Sequence, residues 1–212
     1  MARKIESWEK EIFKDSKNFT SNHSELKGRE LVIVASSILD IGLAHLIEKR
    51  LHQNKNELED FLGLDRDGRA PLGSFGAKIQ MAFLLKLVTD EEMVAYRAMK
   101  AIRNRYAHEV NRTALSKEVN LDIQKLIPFF MKYIMGRFEV FSDLPENVRE
   151  DFLRKAISSS EKTADAFLHL VFSFLQVILD ARIKETKSLD EEDKMKENLK
   201  TSLAALKSSG KN

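Results

Sequence analysis

The 212-residue chain contains no cysteine, only 3 prolines and only 8 glycines. The absence of cysteine excludes disulfides, thiolate zinc sites, iron–sulfur clusters and a cysteine nucleophile, and it fits a reducing compartment. So few prolines and glycines exclude an all-β chain, which needs many tight turns. The charges nearly balance, with 35 Lys+Arg against 33 Asp+Glu. The chain therefore lacks the overall basic field that strong non-specific binding to duplex DNA requires.

Targeting and membrane segments are also missing from the sequence. The first residues, MARKIESWEKEIFKD, carry charges throughout and lack the apolar core of a secretory signal. The longest apolar stretch, Phe167 to Leu179, spans about 13 residues, whereas a membrane helix needs roughly 20. We therefore expect a soluble, cytoplasmic protein that makes no membrane contact.

Apolar residues recur every three or four positions, which is the spacing of amphipathic helices. The strongest block is 25–52, where Leu31, Ile38 and Ile41 follow this spacing and small residues such as Gly42 allow close approach of another backbone. The predicted helices are 4–19, 25–52, 75–88, 89–109, 115–135, 146–158 and 161–183, with one further turn near 58–62.

Local signals mark where several of these helices begin or break. Ser74 is a candidate N-cap for helix 75–88, whose apolar side includes Phe83 and Leu84. Thr89, followed three residues later by Glu92, forms a capping box. Pro128 is expected to kink or break helix 115–135.

The pattern predicts an all-α fold, a bundle of about six to eight helices with a charged C-terminal helical extension. We divide the chain into a helical domain, 1–140, and an extension, 141–212, whose Lys- and Glu-rich last part is expected to be exposed or disordered. Helices 25–52 and 161–183 are apolar over more surface than one small bundle covers, which favours a homodimer.

The common catalytic motifs are absent: there is no HExxH, P-loop, GxGxxG or GxSxG. His45 and His52 share one helix face, but no third ligand accompanies them, so we expect neither a metal nor a cofactor. The Gly73–Gly76 segment could bind an anion at a helix start, although a capped tight turn is the favoured interpretation.

One polar cluster, near the end of helix 89–109, suggests chemistry. Its members are Arg103, Asn104, Arg105 and His108. A histidine can move a proton near neutral pH, an arginine can hold a phosphate, and an asparagine can orient either group. Arg103 and His108 lie about 140° apart on an ideal helix, so they meet only through long reach, an irregular turn or a dimer mate.

A structural role for the same residues stays open from the sequence. Basic side chains near a helix C-terminus favour the helix dipole and bond its free carbonyls. Arg103 or Arg105 could equally form an ion pair with an acidic residue of a neighbouring helix.

Four segments together resemble the mannitol operon repressor (MltR) family. They are 29–40 (RELVIVASSILD), 71–79 (PLGSFGAKI), 84–92 (LLKLVTDEE) and 102–108 (IRNRYAH). The resemblance covers about residues 25–110, with Tyr106 where the family carries Phe. It implies an all-α regulator of a sugar-alcohol operon without a DNA-reading motif, and the sequence indeed has no basic recognition helix. The resemblance therefore implies a protein that acts through protein contacts or together with a DNA-binding partner.

The segment around Arg103 and His108 is also similar to the signature of HEPN domains, many of which are metal-independent endoribonucleases. That similarity implies Arg103, Asn104 and His108 as catalytic residues and RNA as the substrate. The sequence thus leaves two main hypotheses, a non-enzymatic regulator and a ribonuclease. A repressor that binds DNA directly is a third, and a salt-dependent mobility shift would distinguish it.

Overall fold

A computed structural model describes residues 25–51, 54–63, 70–108, 113–135 and 144–209, without the side chains of Lys55 and 202–209. Over this part of the chain, the predicted all-α fold is confirmed: eight helices form a bundle and a ninth extends from it. The helix predicted over 4–19 lies outside the described residues. The helices are α1 Gly28–Arg50, α2 Lys55–Leu62, α3 Phe75–Leu84, α4 Asp90–His108, α5 Lys117–Gln124, α6 Ile127–Tyr133, α7 Glu146–Ser159, α8 Glu161–Glu185 and α9 Leu189–Ser209.

Helix α1 is the centre of the bundle, because most of its surface is apolar or small. It packs against α3, α4 and α8. Gly42 permits the closest approach, since a methyl group built there would overlap Cδ2 of Leu179 on α8. The atoms that lie against Gly42 belong to the Leu179 side chain, whereas the sequence predicted that another backbone could approach closely.

Helices α1 and α8 run parallel, although about 130 residues separate them in the chain. At one end the Gly28 N–H donates to Asp165 Oδ1 at 3.2 Å. At the other end Lys49 donates to the Ile183 carbonyl, and Arg50 bonds Glu192 and the Lys187 carbonyl. Lys49 therefore satisfies a carbonyl in the last turn of α8, and Arg50 a carbonyl just beyond its end.

The local signals named in the sequence mark where helices begin or break, as predicted. Ser74 Oγ accepts the Ala77 N–H at 3.2 Å and caps α3. Pro128 stands in the first turn of α6, so the predicted helix 115–135 is broken into α5 and α6. Helix α3 ends earlier than predicted, because Lys86 adopts a left-handed φ of 56°. Leu84, which was expected to face inward, is consequently 67% exposed.

The predicted boundary between a domain and an extension falls at 140/141, outside the described residues. Beyond it, α7 and α8 contribute Leu153, Ile157, Leu168 and Leu175 to the same core as α1. Helix α9 carries mostly exposed side chains over its described part. By length and apolar composition alone, α1 and α8 are the described helices that could span a membrane.

Candidate functional site

Helix α4 carries the predicted site and is fixed at its beginning by the capping box. The Thr89 N–H donates to Glu92 Oε2 at 3.0 Å, and the Glu92 N–H donates to Thr89 Oγ1 at 3.3 Å. The first turn is acidic and the last turn basic, which matches the helix dipole at both ends. The sequence prediction for this helix start is confirmed.

The inward face of α4 determines where the polar cluster lies. Tyr96, Met99, Ile102 and Tyr106 are buried against the core. The residues between them therefore turn outward, so that Arg103, Asn104 and Arg105 are half-buried and His108 is exposed.

Arg105 is committed to an ion pair with α5. Its Nε donates to Asp122 Oδ2 at 2.6 Å, and Lys125 bonds the other carboxylate oxygen at 2.5 Å. The Asp122 side chain is only 2% exposed. Burial alone would raise the pKa of Asp122, but the hydrogen bonds from Arg105 and Lys125 outweigh it and lower that pKa. Arg105 therefore has the structural role that the sequence left open, an ion pair with an acidic residue of a neighbouring helix.

Arg103, Asn104 and His108 have no hydrogen bond or ion pair with any described residue. Asn104 and His108 lie about 40° apart around α4, whereas Arg103 lies about 140° from His108. One protomer thus places the arginine and the histidine on different sides of the helix. Residues 109–112, which follow His108, are outside the described part.

The amino end of α3 packs beside α4, one turn before Arg103. The ammonium group of Lys100 lies against Gly76, where a Cβ atom would overlap it. The Ser74 cap supports the capped turn rather than an anion site there.

A buried tyrosine hydroxyl is a feature that the sequence did not indicate. Within the described residues Tyr106 Oη is buried and has no hydrogen-bond partner. Burial, with the nearby charges of Asp165 and Glu161, raises the pKa of Tyr106 to about 12. Burial also raises the pKa of Asp165. Sequence periodicity placed Tyr106 inward but could not show what its hydroxyl would face.

The sequence predicted no metal site at His45 and His52, because no third ligand accompanies them. His45 Nδ1 lies 3.3 Å from Glu48 Oε2, and His52 is outside the described residues. Across the described ranges, no group of three or more His, Asp and Glu side chains converges as metal ligands would.

Comparison with known proteins does not assign the chain to a family. It matches no family profile, no curated protein and no solved structure.

Arg105→Met is expected to lower the free energy of unfolding at pH 7 by roughly 1 to 2 kcal/mol, because Asp122 loses a charged donor while Lys125 and solvent still screen it. The folded state lowers the pKa of Asp122. The contribution of ionised Asp122 to the free energy of unfolding is therefore complete at pH values above the ordinary pKa of a carboxyl group. It disappears as the pH falls through the lower pKa that Asp122 has in the folded state. Urea unfolding of both proteins at pH 7 and below about pH 4 measures this.

Arg103→Met is the matched control for this measurement. Arg103 lies two residues away on the same helix and has no partner among the described residues, so its removal should change stability little at either pH. Equal losses from the two variants would contradict the assigned role of Arg105.

Proposed function

We propose that the protein is a non-enzymatic helical regulator that acts through contacts with other proteins. The observation that carries the proposal is the apolar outer face of α8, where Leu170 is 45% and Val177 65% exposed. Seven residues separate them, so they lie on one side of the helix. An exposed apolar face on a folded domain is typical of a protein-binding surface.

The geometry of α4 favours the regulator over an enzyme. Arg105 is used in the ion pair with Asp122, and Arg103 and His108 point to different sides of the helix. The resemblance to mannitol operon repressors supports a role in repressing a sugar-alcohol operon. The proposal includes a homodimer, a cytoplasmic location and no cofactor.

In a bacterial host with a mannitol-operon promoter fused to a reporter, producing the chain is expected to lower reporter output. His108→Ala should lower it equally, because the proposed role needs no proton transfer at that position. Purified protein alone should leave promoter DNA unshifted at low salt. Unchanged reporter output would contradict the regulator, and a salt-dependent shift would instead indicate a repressor that binds DNA directly.

A metal-independent endoribonuclease is the second candidate, and one observation favours it. Arg103, Asn104 and His108 make no bond to a described residue, whereas Arg105 beside them is paired. Side chains kept free of structural partners are available to a substrate. Two subunits could place Arg103 of one beside His108 of the other, so that the imidazole moves a proton while the guanidinium holds the phosphate.

Incubating purified protein with total RNA in EDTA tests this candidate. Cleavage that disappears in both His108→Ala and Arg103→Met, but persists in Arg105→Met at a temperature where that variant is folded, would support a ribonuclease. Intact RNA at a large excess of the wild-type protein would exclude it. Circular dichroism of each variant confirms that loss of cleavage does not reflect loss of fold.

A further inference from the structure

A cavity of about 490 Å³ opens between α6 and α7. A volume of this size is typical of sites that bind small molecules. We call this space the α6–α7 cavity, because each of the two helices contributes one of its sides. The two sides are formed by Ile127, Pro128 and Met131 of α6 and by Glu146, Arg149 and Glu150 of α7. The cavity therefore lies between an apolar wall and a charged wall.

The charged wall belongs to the inward face of α7. Further along this helix, Leu153 and Ile157 are buried in the core of the bundle. Helical spacing places Glu146, Arg149 and Glu150 within about 60° of the same side of the helix. The inward face thus changes from charged to apolar along α7, and its charged part borders the cavity. Charges facing a packed apolar core would be costly, whereas charges facing a cavity can meet a polar ligand.

Two ion pairs neutralise most of the charge around the cavity. Lys132 and Glu91, which line one end of it, pair with each other at 2.7 Å. Glu150 pairs with Arg154, one turn further along α7, at 2.5 Å. These four residues therefore bring no net charge to the site.

Glu146 and Arg149 are the lining charges that remain. They have opposite signs and lie three positions apart on α7, yet neither forms an ion pair in the described part of the chain. The Nε atom of Arg149 is also buried there without a hydrogen-bond partner. A buried N–H group without a partner costs free energy, which a ligand that accepts a hydrogen bond recovers. The cavity thus offers one unused cation and one unused anion.

We propose that the α6–α7 cavity binds a free α-amino acid with an apolar side chain. The carboxylate of the amino acid accepts hydrogen bonds from the Arg149 guanidinium, and its ammonium group donates to Glu146. Its side chain lies against Ile127, Pro128 and Met131. An amino acid carries its two charges on neighbouring groups, which matches two protein charges that stand one helical turn apart.

Charge balance identifies this class of ligand. A simple carboxylate or a phosphate would set a second negative charge beside Glu146, and a simple amine would leave Arg149 without an acceptor. A zwitterion pairs with both residues and adds no net charge to a lining that is already neutral. The apolar wall favours an apolar side chain, because a further charge would find no partner there. The inference goes beyond the proposed function and does not depend on it.

Isothermal titration calorimetry of the full chain tests the ligand class. We expect L-leucine to bind, and three analogues should each bind at least about tenfold more weakly. Isocaproate lacks the ammonium group, L-leucinamide lacks the carboxylate, and glycine lacks the apolar side chain. Absence of binding by leucine, isoleucine, methionine and phenylalanine at millimolar concentration would overturn the proposal. Equal affinities for L-leucine and isocaproate would overturn it as well.

Two variants test the assigned partners. Arg149→Met and Glu146→Gln should each weaken L-leucine binding by about tenfold or more, because each removes one charged partner. Arg149→Met should also lose the preference for L-leucine over L-leucinamide, and Glu146→Gln the preference for L-leucine over isocaproate. A merely structural role of either residue would leave these preferences unchanged.

Lys155→Met is the matched control. Lys155 lies on the opposite side of α7 with a side chain 77% exposed, so its removal should leave L-leucine binding unchanged. Circular dichroism verifies that each variant is folded. Equal weakening by Arg149→Met and Lys155→Met would overturn the site.

None of these outcomes bears on the regulator, because that function is read from reporter output. Conversely, L-leucine binding with the expected variant pattern, in a protein that leaves the reporter unchanged, would retain the site and remove the proposed function.

Discussion

Glu92→Ala is expected to lower the free energy of unfolding by about 3 kcal/mol or more. Glu92 is fully buried and bonds three elements at once. It caps its own helix through the Thr89 N–H at 3.0 Å, and it accepts bonds from Arg182 at 2.7 Å and from the Tyr133 hydroxyl at 3.4 Å. Its removal leaves the half-buried guanidinium of Arg182, 31% exposed, without its carboxylate partner.

The cost follows from what remains after the substitution. Burial alone would lower the pKa of Arg182, and the hydrogen bond and charge of Glu92 raise it instead. Without the carboxylate, Arg182 keeps its charge but loses its partner, and its Nε is already buried without a partner among the described residues. Breaking a buried pair is more costly than replacing both members.

Glu91→Ala is the matched control for this prediction. Glu91 is the preceding residue and pairs with Lys132 at 2.7 Å, but the Glu91 side chain is 35% exposed and that of Lys132 50%. Glu91→Ala should therefore lower the free energy of unfolding by much less than Glu92→Ala does. Urea unfolding followed by circular dichroism compares the two, and the double variant Glu92→Leu/Arg182→Met should regain most of the stability that Glu92→Ala loses. Equal stability of the two alanine variants would refute the buried pair.

Gly42→Leu is expected to lower the free energy of unfolding by about 3 kcal/mol, because α1 and α8 touch at this residue. Even a single methyl group at Gly42 would overlap Leu179 Cδ2, and it would lie 3.3 Å from Leu179 Cγ. Replacing glycine by alanine inside a helix normally gains roughly 1 kcal/mol. A net loss for Gly42→Ala would therefore show that packing, and not helix propensity, selects glycine here.

The companion experiment makes room on the opposite helix. Leu179→Ala alone should cost about 2 to 5 kcal/mol, because it leaves a cavity beside Gly42. The double variant Gly42→Leu/Leu179→Ala should lose less free energy of unfolding than the sum of the two single losses. The leucine added at position 42 fills the cavity that Leu179→Ala leaves. Ala107→Leu, at an exposed position of α4, controls for the added side chain. Strict additivity would mean that Gly42 and Leu179 are not in contact.

Helix ends could be predicted from the sequence because their signals are local. The Thr89 and Glu92 pair, the Ser74 cap and the break at Pro128 each involve residues within four positions of one another. Leu84 shows the limit of periodicity. It continued the apolar spacing, but the left-handed Lys86 ended the helix and left Leu84 exposed.

The contacts that define the candidate site are long-range, and the sequence could not supply them. Arg105 had several possible acidic partners, and only the packing of α4 on α5 selects Asp122. Glu92 was recognised as a cap, yet Arg182, its ion-pair partner, lies 90 residues further along the chain. The sequence did predict the angular separation of Arg103 and His108, because helical geometry alone determines it.

The parallel pairing of α1 and α8 has a consequence for synthesis on the ribosome. Helix α1 emerges more than a hundred residues before α8, the helix that covers Gly42. At translation speeds of roughly 5 to 20 residues per second, the apolar side of α1 waits on the order of ten seconds or longer for its partner. A nascent chain that ends before Leu179 cannot complete the core. Chaperones that bind apolar helices thus have their longest opportunity at α1.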